Sequence, residues 1–300
     1  MRPVLLLLGC LVMTACPVDA VSAVPGWKPV AGFLEIPVGV PLGAASAVDV
    51  DSRGRLYLFH RGPRPILCFR SNGKLLRSWG DDLIGIAHGL RVDRDDNVWV
   101  TDIGHHVVMK FSPKGKLLLT LGQVDKPGTG HDQFNKPTDI GFGKRGEIYI
   151  SDGYGNSRVM KFDRRGKYLA SWGQPGTGRG EFDLPHSILV DREGRVVVGD
   201  RENDRVQVFD ANGKWLATWP GFAPYGLAEG RDGAILVADG RASQVLEIDP
   251  KSGRVVLRWG SKGTDPGQFQ MPHMLAIDKR GRLFVAEVQG KRLQQFQRQP

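Results

Sequence analysis

Cysteine is nearly missing from this chain of 300 residues: there are three, and Cys68 alone lies beyond residue 16. No intrachain disulfide can therefore form in the folded part. Ile66, Leu67 and Phe69 beside Cys68 point to a buried, unreactive thiol. Helical spacing of apolar residues is absent after the N-terminus, which excludes a helical or α/β fold. No linker or low-complexity stretch interrupts the chain, so nothing divides it into two domains. The formal net charge is +9, but most Lys and Arg sit at turns spread along the whole sequence. That distribution suits solubility, and nucleic acid is not expected as a partner.

One long apolar run exists, Val4 to Met13, preceded by Met1-Arg2 and followed by small residues and Cys16. It is too short to span a bilayer and has the layout of an export signal, so residues 1–23 are expected to be a signal peptide and 24–300 the folded domain. Met13-Thr14-Ala15-Cys16 resembles a bacterial lipoprotein processing site, with a lipid on Cys16. Cleavage after Ala20 or Ala23 is the alternative and leaves a soluble periplasmic or secreted protein. Membrane contact is expected only through that lipid, and the protein is expected to be a monomer.

What is present is a repeat. Ser46-Ala47-Val48, His88-Gly89-Leu90, Thr138-Asp139-Ile140, His186-Ser187-Ile188, Tyr225-Gly226-Leu227 and His273-Met274-Leu275 each open an apolar stretch. Fourteen residues after each anchor come His60, Asp102, Asp152, Asp200, Asp239 and Glu287, without a gap. Within each copy apolar residues alternate with period two, as in Leu56-Tyr57-Leu58-Phe59, and Gly-containing turns such as Arg145-Gly146 and Asn212-Gly213-Lys214 separate the strands. Copies lie 39 to 50 residues apart. The fold expected is all-β, a six-bladed β-propeller of four-stranded sheets. The last copy ends near Phe296 after three strands, and Gly26 to Phe33 carries the Trp found late in other copies. This early segment is expected to supply the missing outer strand and close the ring.

The anchor is histidine in every second copy. In a six-fold ring His88, His186 and His273 stand about 120° apart around the axis, as three ligands of one ion must. One position past the fourteen-residue mark, Arg61 and Arg201 occur in the first and fourth copies, which face each other. Tyr154 lies two past the mark in the third. Three neutral imidazoles leave a zinc ion one open position, a catalytic rather than structural set. Paired arginines suit a carboxylate, and a tyrosine near such positive charge can exchange protons despite its ordinary pKa of about 10. His105, His106 and His131 are expected to be solvated surface residues, and His60 to make a structural hydrogen bond. Asn156, Arg158, Asn203 and Arg205 recur in two copies, which favours a loop-holding role.

Gly173-Gln174-Pro175-Gly176, Leu184-Pro185-His186 and Asp200-Arg201-Glu202-Asn203-Asp204-Arg205 resemble NHL repeats. With Phe59-His60-Arg61-Gly62, Lys136-Pro137-Thr138-Asp139, Ser151-Asp152-Gly153-Tyr154 and Met271-Pro272-His273, the chain from about Val48 to Phe296 resembles the peptidyl-α-hydroxyglycine α-amidating lyases. The resemblance implies zinc on His88, His186 and His273, Tyr154 as catalytic base, and Arg61 and Arg201 on the substrate carboxylate. It also implies a calcium ion held by backbone carbonyls at Val48 and Leu90 and by an Asp after the third histidine. Here that residue is Met274, which removes the one anionic ligand. Gly155, Val197 and Val208 stand where animal members carry disulfide cysteines.

The expected function is zinc-dependent cleavage of the C–N bond of a C-terminal α-hydroxyglycine, or of a small N-acyl hydroxyglycine, to an amide and glyoxylate. The partner is then a peptide or small molecule with a free carboxylate. The alternative is a non-catalytic NHL propeller that binds a protein or an anionic envelope ligand.

Overall fold

A computed structural model describes residues 26–299. Six antiparallel four-stranded sheets follow one another; the first five run outward from the axis in chain order, and the sixth takes its outer strand from the start of the described chain. We letter the strands a to d from the axis. The six inner strands are Ala44–Val50, Ala87–Val92, Asp139–Phe142, Pro185–Val190, Pro224–Glu229 and Pro272–Ile277. Each packs against the next, and the sixth packs against the first. The protein is thus a six-bladed β-propeller, and the described residues contain no helix.

Strand d of blade six is Trp27–Val30, paired antiparallel with Arg292–Arg298 in the register Trp27↔Arg298 to Val30↔Gln295. The beginning and end of the described chain therefore complete one sheet. Trp27 is 2% exposed among Val245, Trp259, Phe269 and Phe296, and its indole N–H reaches Glu247 at 2.5 Å.

The core is six wedges, one at each blade junction. Tyr57 and Phe59 of blade one meet Leu90, Val98 and Val100 of blade two, with Cys68 buried among them. The other five junctions repeat the arrangement. Middle strands are buried on both faces because a blade is sandwiched between two others, whereas strand d alternates, as in Val255–Trp259. The outer tryptophans set the blade spacing: a Cβ on Gly213 would come within 2.6 Å of the Trp172 ring of the preceding blade. Gly213 also has φ +85, so the turn needs glycine twice over.

Strand b ends in the residue fourteen after the anchor, and its side chain ties two loops together. Asp200 accepts the Asp183 N–H at 2.8 Å and holds Asn203 and Arg205, and Asp152 does the same with Asn135, Asn156 and Arg158. Asn156, Arg158, Asn203 and Arg205 thus hold loops. In blade one the imidazole of His60 replaces the carboxylate and accepts the Gly43 N–H at 3.0 Å. His105 and His106 lie at the surface, and each has a partner there. Both are partly buried, His105 Nδ1 lying 2.7 Å from an Asp125 oxygen while His106 Nδ1 accepts the Lys136 N–H at 3.1 Å. His131 is exposed and stacks on Tyr168.

Candidate metal centre

The strand-a end that receives the chain from the preceding blade is also the end where strand b finishes. Ala44 pairs with Arg61, and Pro185 with Asp200. Anchors and post-strand loops therefore share one mouth of the channel. Each histidine sits at a break in the a–b register, between Ala87 and Leu90, Pro185 and Ser187, and Pro272 and Leu275. A bulge at the start of a strand re-aims one side chain, and here it turns the imidazole to the axis.

Upstream of two of these histidines, and of Thr138, stands a residue of positive φ followed by proline: Lys136 at 60°, Leu184 at 64° and Met271 at 58°. Their carbonyls turn toward the next loop. Lys136 O accepts the Tyr154 N–H at 3.4 Å, and Leu184 O accepts the Arg201 N–H at 3.1 Å. Backbone strain on the order of 1 kcal/mol per residue is thus offset by fixing the loops that carry Tyr154 and Arg201.

The three imidazoles form a nearly equilateral triangle, with ring centroids 4.7, 4.8 and 4.9 Å apart. Their ligand nitrogens all lie within 4.8 Å of one another. His88 Nδ1 faces Thr138 O at 2.7 Å, His186 Nδ1 faces Tyr225 O at 2.7 Å and His273 Nδ1 faces Ser46 O at 2.6 Å. A carbonyl only accepts, so each Nδ1 carries the proton and each Nε2 keeps a lone pair toward the centre. Burial pushes all three pKa values down, aided by the neighbouring imidazoles for His88 and His186, by Arg201 for all three and by Arg61 for His88 and His273; His273 falls to about 3. The rings are therefore neutral at pH 7. His88 and His186 bring two unprotonated Nε2 atoms to 3.2 Å, an arrangement that a shared cation stabilises.

The Tyr154 hydroxyl lies 3.2 Å from Nε2 of both His88 and His186, and Arg201 Nη1 reaches it at 3.4 Å. Arg201 is fixed from its other edge by Glu202 at 2.7 Å and lies over the rings of Tyr154 and Tyr225, 5.5 and 4.7 Å from their centroids. Glu202 in turn pairs with Arg241. Arg61 belongs to the same mouth; its Nε donates to Ala87 O at 3.0 Å, beside His88. Tyr225 and Glu202 are the residues that sequence reasoning did not assign to the site. Tyr225 had a signal, an aromatic anchor in the blade following the one that bears Arg201.

Calcium does not fit. Met274 is fully buried with Ala47 and Leu90 and offers no anionic oxygen near the carbonyls of Val48 and Leu90. A guanidinium already fills the axis below the histidines. Arg91 is bound to both oxygens of Asp139, at 3.0 and 2.7 Å, to Leu227 O at 3.1 Å and to Leu275 O at 3.4 Å.

Ring, repeat and site together define a six-bladed β-propeller of NHL type with a buried three-histidine centre. A family model described as "6-bladed beta-propeller" matches residues 133–219. The chain is 31% identical over 287 residues to peptidyl-alpha-hydroxyglycine alpha-amidating lyase 2 of Drosophila melanogaster, covering 82% of this chain and 69% of that one. It is 37% identical over 163 residues to lyase 1 of the same organism, covering 45% of this chain and only 30% of that protein's length. Among solved structures, a streptogramin B lyase superposes with TM-score 0.65 at 15% identity, covering 91% of this chain and 97% of the other, which shows the fold. The chain belongs to the peptidyl-α-hydroxyglycine α-amidating lyase family.

Proposed function

We propose that the protein is a zinc-dependent lyase that splits an N-acyl-α-hydroxyglycine into an amide and glyoxylate. The observation that carries this reading is Tyr154, whose hydroxyl is 3.2 Å from two metal-facing nitrogens and within reach of a buried arginine. A structural metal centre has no use for a proton-exchanging group and a guanidinium beside it. His88, His186 and His273 would hold the zinc, which supplies Lewis-acid polarisation of an oxygen when bound.

The protein's own side chains account for the rest. Arg201 and Arg61 bind the substrate carboxylate, Arg201 with the geometry that Glu202 and Tyr225 impose. Tyr154 removes the hydroxyl proton. The carbon–oxygen single bond becomes the aldehyde of glyoxylate as the carbon–nitrogen bond breaks, and Tyr154 passes the proton it removed to the nitrogen, which leaves as the amide.

The test is glyoxylate release from an N-acyl-α-hydroxyglycine by the purified protein, before and after chelation and after zinc is restored. Activity should vanish on chelation and return with zinc. Tyr154→Phe should lower kcat by at least about a hundredfold while zinc content stays at one per chain, as for loss of a general base. No release from folded, zinc-loaded protein would defeat the lyase reading.

A further inference from the structure

The ring sorts its charge by end. Strand a runs from the site mouth to the opposite end, so every a–b and c–d turn lies on the face away from the histidines. These turns are 51–55, 70–74, 93–97, 112–116, 143–147, 163–167, 191–195, 210–214, 230–233, 249–254 and 278–282. They hold 21 of the 41 Lys and Arg but only 12 of the 32 Asp and Glu. These turns therefore sum to +9, the formal net charge of the chain, and all other residues together sum to zero.

The local chemistry of the turns deepens this asymmetry. Asp51, Asp191 and Asp278 are 3 to 7% exposed because they point inward and accept the N–H groups of their own turns. Arg55, Arg195 and Arg282 turn inward to pair with these carboxylates, whereas Lys114, Lys116, Lys144, Arg164, Arg165 and Lys167 are all exposed. Between blades five and six the same face opens a cavity of about 770 Å³ lined by Arg231, Arg280, Arg282 and Arg298. Arg231 and Arg280 make no ion pair among the described residues.

A second, independent observation concerns where the chain enters. Trp27 pairs with Arg298, two residues beyond the Leu283↔Phe296 pair beside the last turn. The residues that precede Gly26, Cys16 among them, thus join the ring at the basic face and not at the site mouth. We infer that the turn face docks on an anionic phospholipid surface, with the metal centre opening away from it. A basic face attracts such a surface by about fivefold per Lys or Arg brought near it, within a Debye length. A membrane is favoured over RNA because the cations form a broad face without interleaved exposed aromatics at their turns. The inference does not depend on the lyase reading.

The test is cosedimentation of the full chain with vesicles of phosphatidylglycerol and, as reference, of phosphatidylcholine, which measures any contribution of the N-terminal run. Partition onto the anionic vesicles should exceed the reference at least tenfold at 50 mM salt and approach it at 500 mM. Arg164→Glu, Arg165→Glu and Lys167→Glu together should remove most of that excess. An equal charge change at the mouth rim, Lys126→Glu, Lys262→Glu and Lys291→Glu, should alter it less than about twofold. Thermal melting checks that both variants fold, and Lys114→Glu with Lys116→Glu serves if the first set does not. Equal loss in both variants, equal partition onto the two lipids, or tighter binding to RNA than to the anionic vesicles at the same salt would overturn the inference.

Discussion

Arg201 shows how much support one functional side chain receives. Its Nε is held by Glu202 at 2.7 Å, an Nη reaches Tyr154, and two aromatic rings flank the guanidinium plane. A lysine at this position has neither the fork nor the stacking plane, although it keeps the charge. Arg201→Lys is therefore expected to raise KM for the hydroxyglycine substrate at least about tenfold, with an unchanged melting temperature and zinc content. Steady-state kinetics beside a thermal melt would check this, and an unaltered KM would remove Arg201 from the carboxylate site. The six residues His88, His186, His273, Tyr154, Arg61 and Arg201 were legible in the sequence because each is defined by a fixed offset within the repeat. Tyr225 and Glu202 were not, because their roles depend on which way the Arg201 side chain leans, and the repeat says nothing of that.

At the level of the strand, the clasp at the end of strand b differs in kind between blades. Five are carboxylates, whereas blade one uses His60, fully buried, with Gly43 N–H donating to its Nδ1. Burial lowers the pKa of His60 below its ordinary value of about 6.5, so the folded ring takes up a proton less readily than the unfolded chain. The stability it contributes is present in full above about pH 6.5 and is lost as pH falls toward its folded-state value. His60→Asn, whose amide oxygen can accept the same N–H, should show a flatter decline of melting temperature between pH 7.5 and 5 than the parent protein. Parallel slopes would show that this clasp does not titrate. The bulges under the histidines and the positive φ of Leu184 and Met271 left no trace in the pattern of apolar residues. They arise from the register between two strands, and a one-residue shift in register is invisible to a period-two reading. The partners of the surface residues His105 and His106 were not readable for a related reason, since Asp125 and Lys136 come from a connection further along the chain.

Across the whole molecule the axis carries charges that sequence reasoning did not place there, Arg91 and Asp139 with Asp49 beside them. Arg91 is 9% exposed and Asp139 fully buried, and the guanidinium also reaches carbonyls of blades five and six. Removing one partner leaves an uncompensated buried charge, so Arg91→Met should destabilise the ring by about 3–5 kcal/mol. Replacing both, Arg91→Met with Asp139→Leu, should recover most of that loss in a denaturant titration; no recovery would mean that the carbonyl contacts dominate. Blade number and closure were readable from the anchor spacing and the misplaced tryptophan, whereas the concentration of cations on one face was not. Along the sequence those turns are evenly scattered, and only the up-and-down path of each blade gathers them. The hydrogen bonds of the three histidines run the other way round the ring. Each Nδ1 donates to the anchor carbonyl of the following blade, His88 to blade three, His186 to blade five and His273 to blade one, the last across 227 residues of chain. The third candidate ligand is thus oriented only after the last blade has met the first. During synthesis the centre is assembled last, and a truncated or unclosed chain presents at most two oriented imidazoles, so metal loading is itself a report that the ring has been finished.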